Sequence, residues 1–80
     1  MKNIYNAVTD VLEKMHGYKE SKIVEEEDRW VVEIVGHNDE LLRVEILTID
    51  NEPVGCVLER KNVSVRVMNN FMDTLMDALD

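Results

Sequence analysis

The spacing of apolar residues changes twice along this chain, and this change constrains the fold more than any other feature of the sequence. The first segment has apolar residues three or four positions apart, the spacing of one helix face, at Ile4, Val8, Val11, Leu12 and Met15. The middle of the chain shows the period of two that is typical of strands, most clearly in 30–35 and 42–47. Helical spacing then returns at Met68, Phe71, Met72, Leu75, Met76 and Leu79. The predicted order is therefore helix, strands, helix.

Turn-forming residues divide the middle of the chain into short extended segments. The acidic run 25–28 and the stretches 36–39 and 50–55, which contain Asp, Asn, Gly and Pro, suit reversals between strands. Extended residues resume over 57–65, with Lys61 and Asn62 as a break or a bulge. We therefore predict an α+β fold with an N-terminal helix, an antiparallel β-meander of three to four strands and a C-terminal helix. One or both helices should cover one face of the sheet, leaving the other to solvent or a partner.

Length and charge limit the function. A chain of 80 residues buries enough surface for one core, so we predict a single domain over 1–80. Seventeen acidic residues against nine basic ones give a formal charge of -8, which repels phosphate backbones and acidic lipid. We therefore expect neither a direct nucleic-acid binder nor a membrane protein. Polar residues interrupt every apolar run near the start, so no secretory signal is predicted and the expected location is cytoplasmic.

The sequence lacks the motifs that usually indicate catalysis or cofactor binding. It has no CxxC or HExxH motif, and its two histidines and one cysteine do not reproduce a zinc spacing. Its three glycines are isolated, which argues against a phosphate-binding loop. Cys56 lies in an apolar stretch and is predicted to be a buried small hydrophobe. We therefore expect no enzyme, with no catalytic residue, no cofactor and no metal.

Charged residues form local groups that are candidates for partner binding, with simple solubility as the alternative interpretation. One group is the acidic run 25–28; another is a set of aspartates at i, i+4 and i+7 near the end of the last helix, where the helix dipole disfavours negative charge. Arginines after the third turn form a basic group, which could instead neutralise carboxylates across strands. The predicted partner-binding residues are Glu25, Glu26, Glu27, Asp28, Arg60, Arg66, Asp73, Asp77 and Asp80. The methionines of the last helix are predicted to pack in the core, with an adaptable partner groove as the alternative.

The middle of the chain resembles the gas-vesicle accessory protein O family. Trp30-Val-Val-Glu-Ile-Val35 is similar to that family's strand that begins with tryptophan, and Arg43-Val-Glu-Ile-Leu-Thr-Ile-Asp50 is similar to the strand paired with it. Arg60 and Arg66 correspond to part of an arginine series on the family's return strand. The resemblance covers residues 22–66. It implies a non-enzymatic protein that acts in vesicle assembly through protein contacts.

Two functions follow as expectations. The first is a small acidic protein-binding domain, such as a gas-vesicle assembly accessory protein. The alternative is an acidic nucleic-acid mimic of the phage anti-CRISPR type, which would occupy a basic groove of a nucleic-acid-binding complex. Both require a protein partner, and the second requires one with a basic surface. A homodimer is compatible with both, because a small open sheet has edges and a face that a second copy could cover.

Overall fold

The chain folds into one four-stranded sheet and two helices. The structure, a computed structural model, describes residues 3–15 and 17–79. Helix α1 (Ile4–Lys14) is followed by strands β1 (Tyr18–Glu25), β2 (Arg29–Gly36), β3 (Leu41–Ile49) and β4 (Glu52–Lys61), and then by helix α2 (Val65–Leu79). The strands pair antiparallel in the order β1-β2-β3-β4. The predicted α+β fold is therefore confirmed, with four strands in its meander.

Local side chains set the beginning of each helix. The Oδ1 of Asn3 accepts a hydrogen bond of 2.8 Å from the backbone N–H of Tyr5, and this caps the start of α1. Ser64 does the same for α2, since its Oγ accepts from the N–H of Val67 at 3.2 Å. The extended segment predicted for 57–65 therefore ends earlier, at Lys61, and the helix begins at Val65.

The reversal between β3 and β4 is shorter than the predicted turn over 50–55. Asp50 and Asn51, with φ of 52° and 66°, form a two-residue hairpin loop of the type I′ kind. Strand β4 therefore begins at Glu52 and includes the only proline. The register shifts between Leu47, which pairs with Gly55, and Thr48, which pairs with Pro53, so β4 has one extra residue at this point. A bulge at an edge strand accommodates the proline.

Both helices pack on the same face of the sheet. The core contains β2 and β3 residues at every second position, joined by α1 and α2 side chains that include Val8, Val11, Phe71 and Leu75. The sheet contributes Val32, Ile34, Leu42, Val44 and Ile46. The ring of Trp30 lies 6.3 Å, between centroids, from that of Tyr5 in α1, so this tryptophan joins the sheet to a helix.

The other face, here called the open face, has no helix over it in the part of the chain that is described. Its rows run across all four strands, and the register places Lys22, Glu33, Arg43 and Glu59 side by side with alternating charge. The adjacent row is Val24, Val31, Glu45 and Val57. Neither helix in residues 3–15 and 17–79 has the length and hydropathy of a membrane-spanning segment.

Candidate functional site

The acidic run forms the loop between β1 and β2. Glu25 ends β1, and the backbone N–H of Glu26 donates a hydrogen bond of 2.8 Å to the carbonyl of Arg29, which closes the hairpin. Glu25, Glu26, Glu27 and Asp28 are all exposed. The prediction of a turn at 25–28 is therefore confirmed, and the loop presents its carboxylates to solvent.

Arg29 partly neutralises this loop. Its Nε lies 3.0 Å from Asp28 Oδ1 and 3.9 Å from Glu26 Oε1, and its Nη1 lies 2.8 Å from Oε1 of Glu45 on the open face. The hydrogen bond from Arg29 lowers the pKa of Asp28 below its ordinary value, and the carboxylates in turn raise the pKa of the guanidinium. Glu25 and Glu27 form no such ion pair within the described chain, so the loop keeps a net negative charge.

A second hairpin brings more carboxylates to the same end of the sheet. In an antiparallel meander, alternate connections lie at the same end, so the loop with Asp50 and Glu52 lies at the end that carries the 25–28 loop. We call this the acidic end, defined by Glu25, Glu26, Glu27, Asp28, Asp50 and Glu52. The last two were interpreted only as a turn from the sequence. The sequence does contain a signal that places Asp50 and Glu52 at this end: two predicted strands separate the two loops, and an even number of antiparallel strands returns the chain to the same end of the sheet.

The aspartates of α2 approach the acidic end only in part. Asp73 and Asp77 are exposed in the C-terminal half of α2, and Asp77 borders a groove beside Pro53 and Val54, next to the β3–β4 hairpin. Asp80 lies outside the described residues. No basic residue occupies the last turn of α2, so these acids are not offset within their own helix.

The predicted arginines lie at the opposite end of the fold from the acidic end. Arg60 is close to the end of β4, and its Nη1 donates a hydrogen bond of 2.9 Å to the carbonyl of Val63. This bond holds the connection between β4 and α2, so Arg60 has a structural role.

Arg66 is exposed in the first turn of α2. Lys14, Lys19 and Lys61 share this end with Glu20, Asp39 and Glu40, and we call it the mixed end. The predicted partner-binding residues are thus divided between two ends.

A groove separates the edge strand β4 from helix α2. It has a volume of about 760 Å³, and its lining includes Val54, Cys56, Leu58, Met72, Met76 and Leu79. Val54 is 60% exposed and Met76 is 55% exposed, although both are apolar. No described strand pairs with the outer edge of β4. We call this feature the β4–α2 groove. Of the predicted methionine stripe, Met68 and Met72 pack against the core, while Met76 faces the groove.

The groove has no evident catalytic group. Burial alone raises the pKa of the Cys56 thiol, which keeps it protonated and weakly nucleophilic. Within 3–15 and 17–79, no group of three or more His, Cys, Asp or Glu side chains could hold a metal ion. What the groove offers is an apolar surface next to unpaired main-chain hydrogen-bonding groups, which suits a protein segment.

Comparisons with known proteins identify no relative for this chain. No protein-family model, no curated protein and no solved structure matches it.

Proposed function

We propose that this protein is a protein-binding domain without chemistry of its own. The observation that supports this proposal best is the β4–α2 groove, where an unpaired strand edge lies beside largely exposed apolar side chains. A strand edge provides main-chain hydrogen bonds, and an apolar groove provides the area whose burial drives association. Met72 and Met76 add adaptability, because thioether side chains conform to varied surfaces.

The experiment for this proposal compares tagged variants in capture from a lysate of the source cells. Met76→Glu places a charge in the groove at an exposed position, so the fold should remain intact while binding is lost. Glu27→Lys changes the charge of an exposed side chain at the acidic end, away from the groove, and serves as the control. A captured protein counts only if it binds again after purification. Equal capture by both variants and the parent chain would show that the groove is not the binding surface.

A second candidate function is supported by the acidic end. Six carboxylates on two neighbouring hairpins form an exposed negative surface, and such a surface is complementary to the basic groove of a nucleic-acid-binding complex. The carboxylates of Glu25 and Glu27 would make the contacts, since Arg29 already engages Asp28. Here the two variants exchange roles: Glu27→Lys should abolish capture and Met76→Glu should not. Binding through the acidic end should also weaken steeply with salt, whereas groove binding should change little.

The gas-vesicle assembly role implied by the sequence resemblance is a narrower form of the first proposal. It is favoured by the adjacency of the two similar segments, since 30–35 lies on β2 and 43–49 of the second segment lies on β3, which pairs with β2. Co-purification with vesicle shell or assembly proteins would support this role. If the captured partner is unrelated to gas vesicles, the role is excluded and the general protein-binding proposal remains.

A further inference from the structure

We propose that the β4–α2 groove is occupied by the same groove of a second copy, with the two β4 strands pairing antiparallel to form one eight-stranded sheet. This inference rests on the proposed function, since it identifies the partner of the groove. The proposed assembly is a closed twofold dimer, in which each copy contributes the same surface to the interface.

The two edges of the sheet differ in a way that selects β4 for pairing. The edge strand β1 has a register shift between Tyr18 and Glu20 and a polar run of Lys19, Glu20, Ser21 and Lys22, all exposed. Charges and irregularities of this kind prevent strand pairing. Strand β4 also has an irregularity, the bulge next to Pro53, but this lies near its start. From Gly55 to Lys61 its register with β3 is unbroken, and Val54, Cys56 and Leu58 provide an apolar lining for the groove. Pairing at β4 would therefore bury apolar surface, and pairing at β1 would not.

A twofold axis perpendicular to the sheet keeps both pairs of helices on the same side. Strand β4 of one copy would then continue the sheet of the other, and the two α2 helices would lie next to each other above the seam. Met76 and Leu79 of each copy, which line the open side of the groove, would be covered by the helix layer of the partner. Strand pairing and helix contact thus close the groove together.

Charge along β4 and α2 supports this antiparallel arrangement. At the acidic end the seam is flanked by Asp50, Glu52 and Asp77, and at the mixed end by Arg60, Lys61 and Arg66. Antiparallel pairing places the acidic set of each copy next to the basic set of the other. Glu59 and Asp73 are exceptions: Glu59 has Arg43 as its register partner on β3, and Asp73 lies between Arg66 and Asp77 on α2. The complementarity is local, and it offsets part of the repulsion between two chains of charge -8.

The test uses Glu52 and Lys61, which lie at opposite ends of β4 and therefore do not contact each other within one chain. The mass in solution, measured by analytical ultracentrifugation, should be that of a dimer for the parent protein. Glu52→Lys and Lys61→Glu each replace two symmetry-related attractions by repulsions, and each should weaken the dimer about tenfold. A mixture of the two variants should recover the parent affinity, because each introduced side chain then faces one of opposite charge across the seam. An intramolecular effect cannot produce this recovery.

The control is Lys19→Glu, the same charge change at the β1 edge, which should leave the dimer unchanged. A parent protein that stays monomeric at all concentrations overturns the dimer but leaves the protein-binding proposal intact if Met76→Glu still abolishes capture of another partner. Loss of the dimer in Lys19→Glu, or failure of the mixed variants to recover it, overturns the β4 seam. A bismaleimide cross-link between Cys56 residues, the only cysteines present, should form in the parent at lower protein concentrations than in either single variant.

Discussion

Two adjacent residues on opposite faces of the sheet reach similar burial by different means. Val32 and Val31 are consecutive in β2, and their exposures are 0% and 5%. Val32 belongs to the core and is covered by helices, whereas Val31 lies on the open face in a row with Val24, Glu45 and Val57. Its cover consists of neighbouring side chains on the sheet itself. Low exposure therefore does not distinguish a residue in the packed core from one covered by surface side chains. The loss of stability on mutation should distinguish them.

The largest effect is expected on the covered face. Leu75 of α2 is fully buried in the core cluster. Leu75→Ala should lower the free energy of unfolding by about 3 to 4 kcal/mol. The substitution removes buried methyl groups and leaves a cavity that the surrounding helices and sheet can close only in part. Urea denaturation followed by circular dichroism measures this difference. Met76→Ala, one position along the same helix and largely exposed, is the control and should have little effect.

The comparison of faces is tested most directly by matched substitutions at the two valines. Val32→Ala should cost about 2 to 3 kcal/mol, since it adds a cavity to the lost apolar burial. Val31→Ala should cost about 1 kcal/mol, because the side chains above it can adjust and water can enter. The same urea denaturation experiment measures the free energy of unfolding of both variants. Equal losses of stability would mean that the open face is packed as tightly around Val31 as the core is around Val32.

A smaller effect is expected for the ion pair on the open face. Arg29→Gln removes the 2.8 Å contact with Glu45, whose side chain is mostly buried, and should lower the free energy of unfolding at neutral pH by less than Val31→Ala does. The difference from the parent should shrink in acid, where the carboxylates are protonated. A cost that does not change with pH would indicate that the arginine acts through the packing of its alkyl chain instead.

The smallest effect concerns Asp28 at the edge of the open face. Because Arg29 lowers its pKa in the folded chain, the stability it contributes is present above the ordinary pKa of 3.8 and is lost as the pH falls through the lowered folded value. An NMR titration of the carboxyl carbons should show Asp28 titrating below 3.8. In Arg29→Gln its midpoint should move back up. An unshifted midpoint in the parent would show that the contact is not maintained in solution.

The fold was largely predictable from the sequence, because period and turn chemistry act locally. The helical spacing of 4–15 and the alternation in 30–35 and 42–47 correspond to α1, β2 and β3. The ends of the strands were less predictable where a residue occupies a structure that its type rarely adopts. Pro53 was assigned to a turn as one of the turn-forming residues of 50–55, yet it lies in β4, where a bulge at the sheet edge accommodates it.

The site was less predictable, because its surfaces combine distant segments. The prediction singled out the 25–28 run as a unit, but the proximity of Asp50 and Glu52 depends on how the strands are ordered. Arg60 was predicted to meet a partner or to offset carboxylates across strands, and the sequence did not indicate that it donates to the carbonyl of Val63. The charges that do alternate across the sheet are Lys22, Glu33, Arg43 and Glu59. The β4–α2 groove depends on how far α2 lies from the edge strand, which no local pattern encodes.

The meander order also determines how this chain should fold in time. Every strand pairs with its neighbour in sequence, so the sheet can assemble as three successive hairpins without closing a long loop. The packing of α1 against α2 is different, since it joins the two ends of the described chain. We expect the hairpin of β2 and β3 to form early in the folding transition state and the helix pair to dock late, so that core mutations in α2 mainly accelerate unfolding.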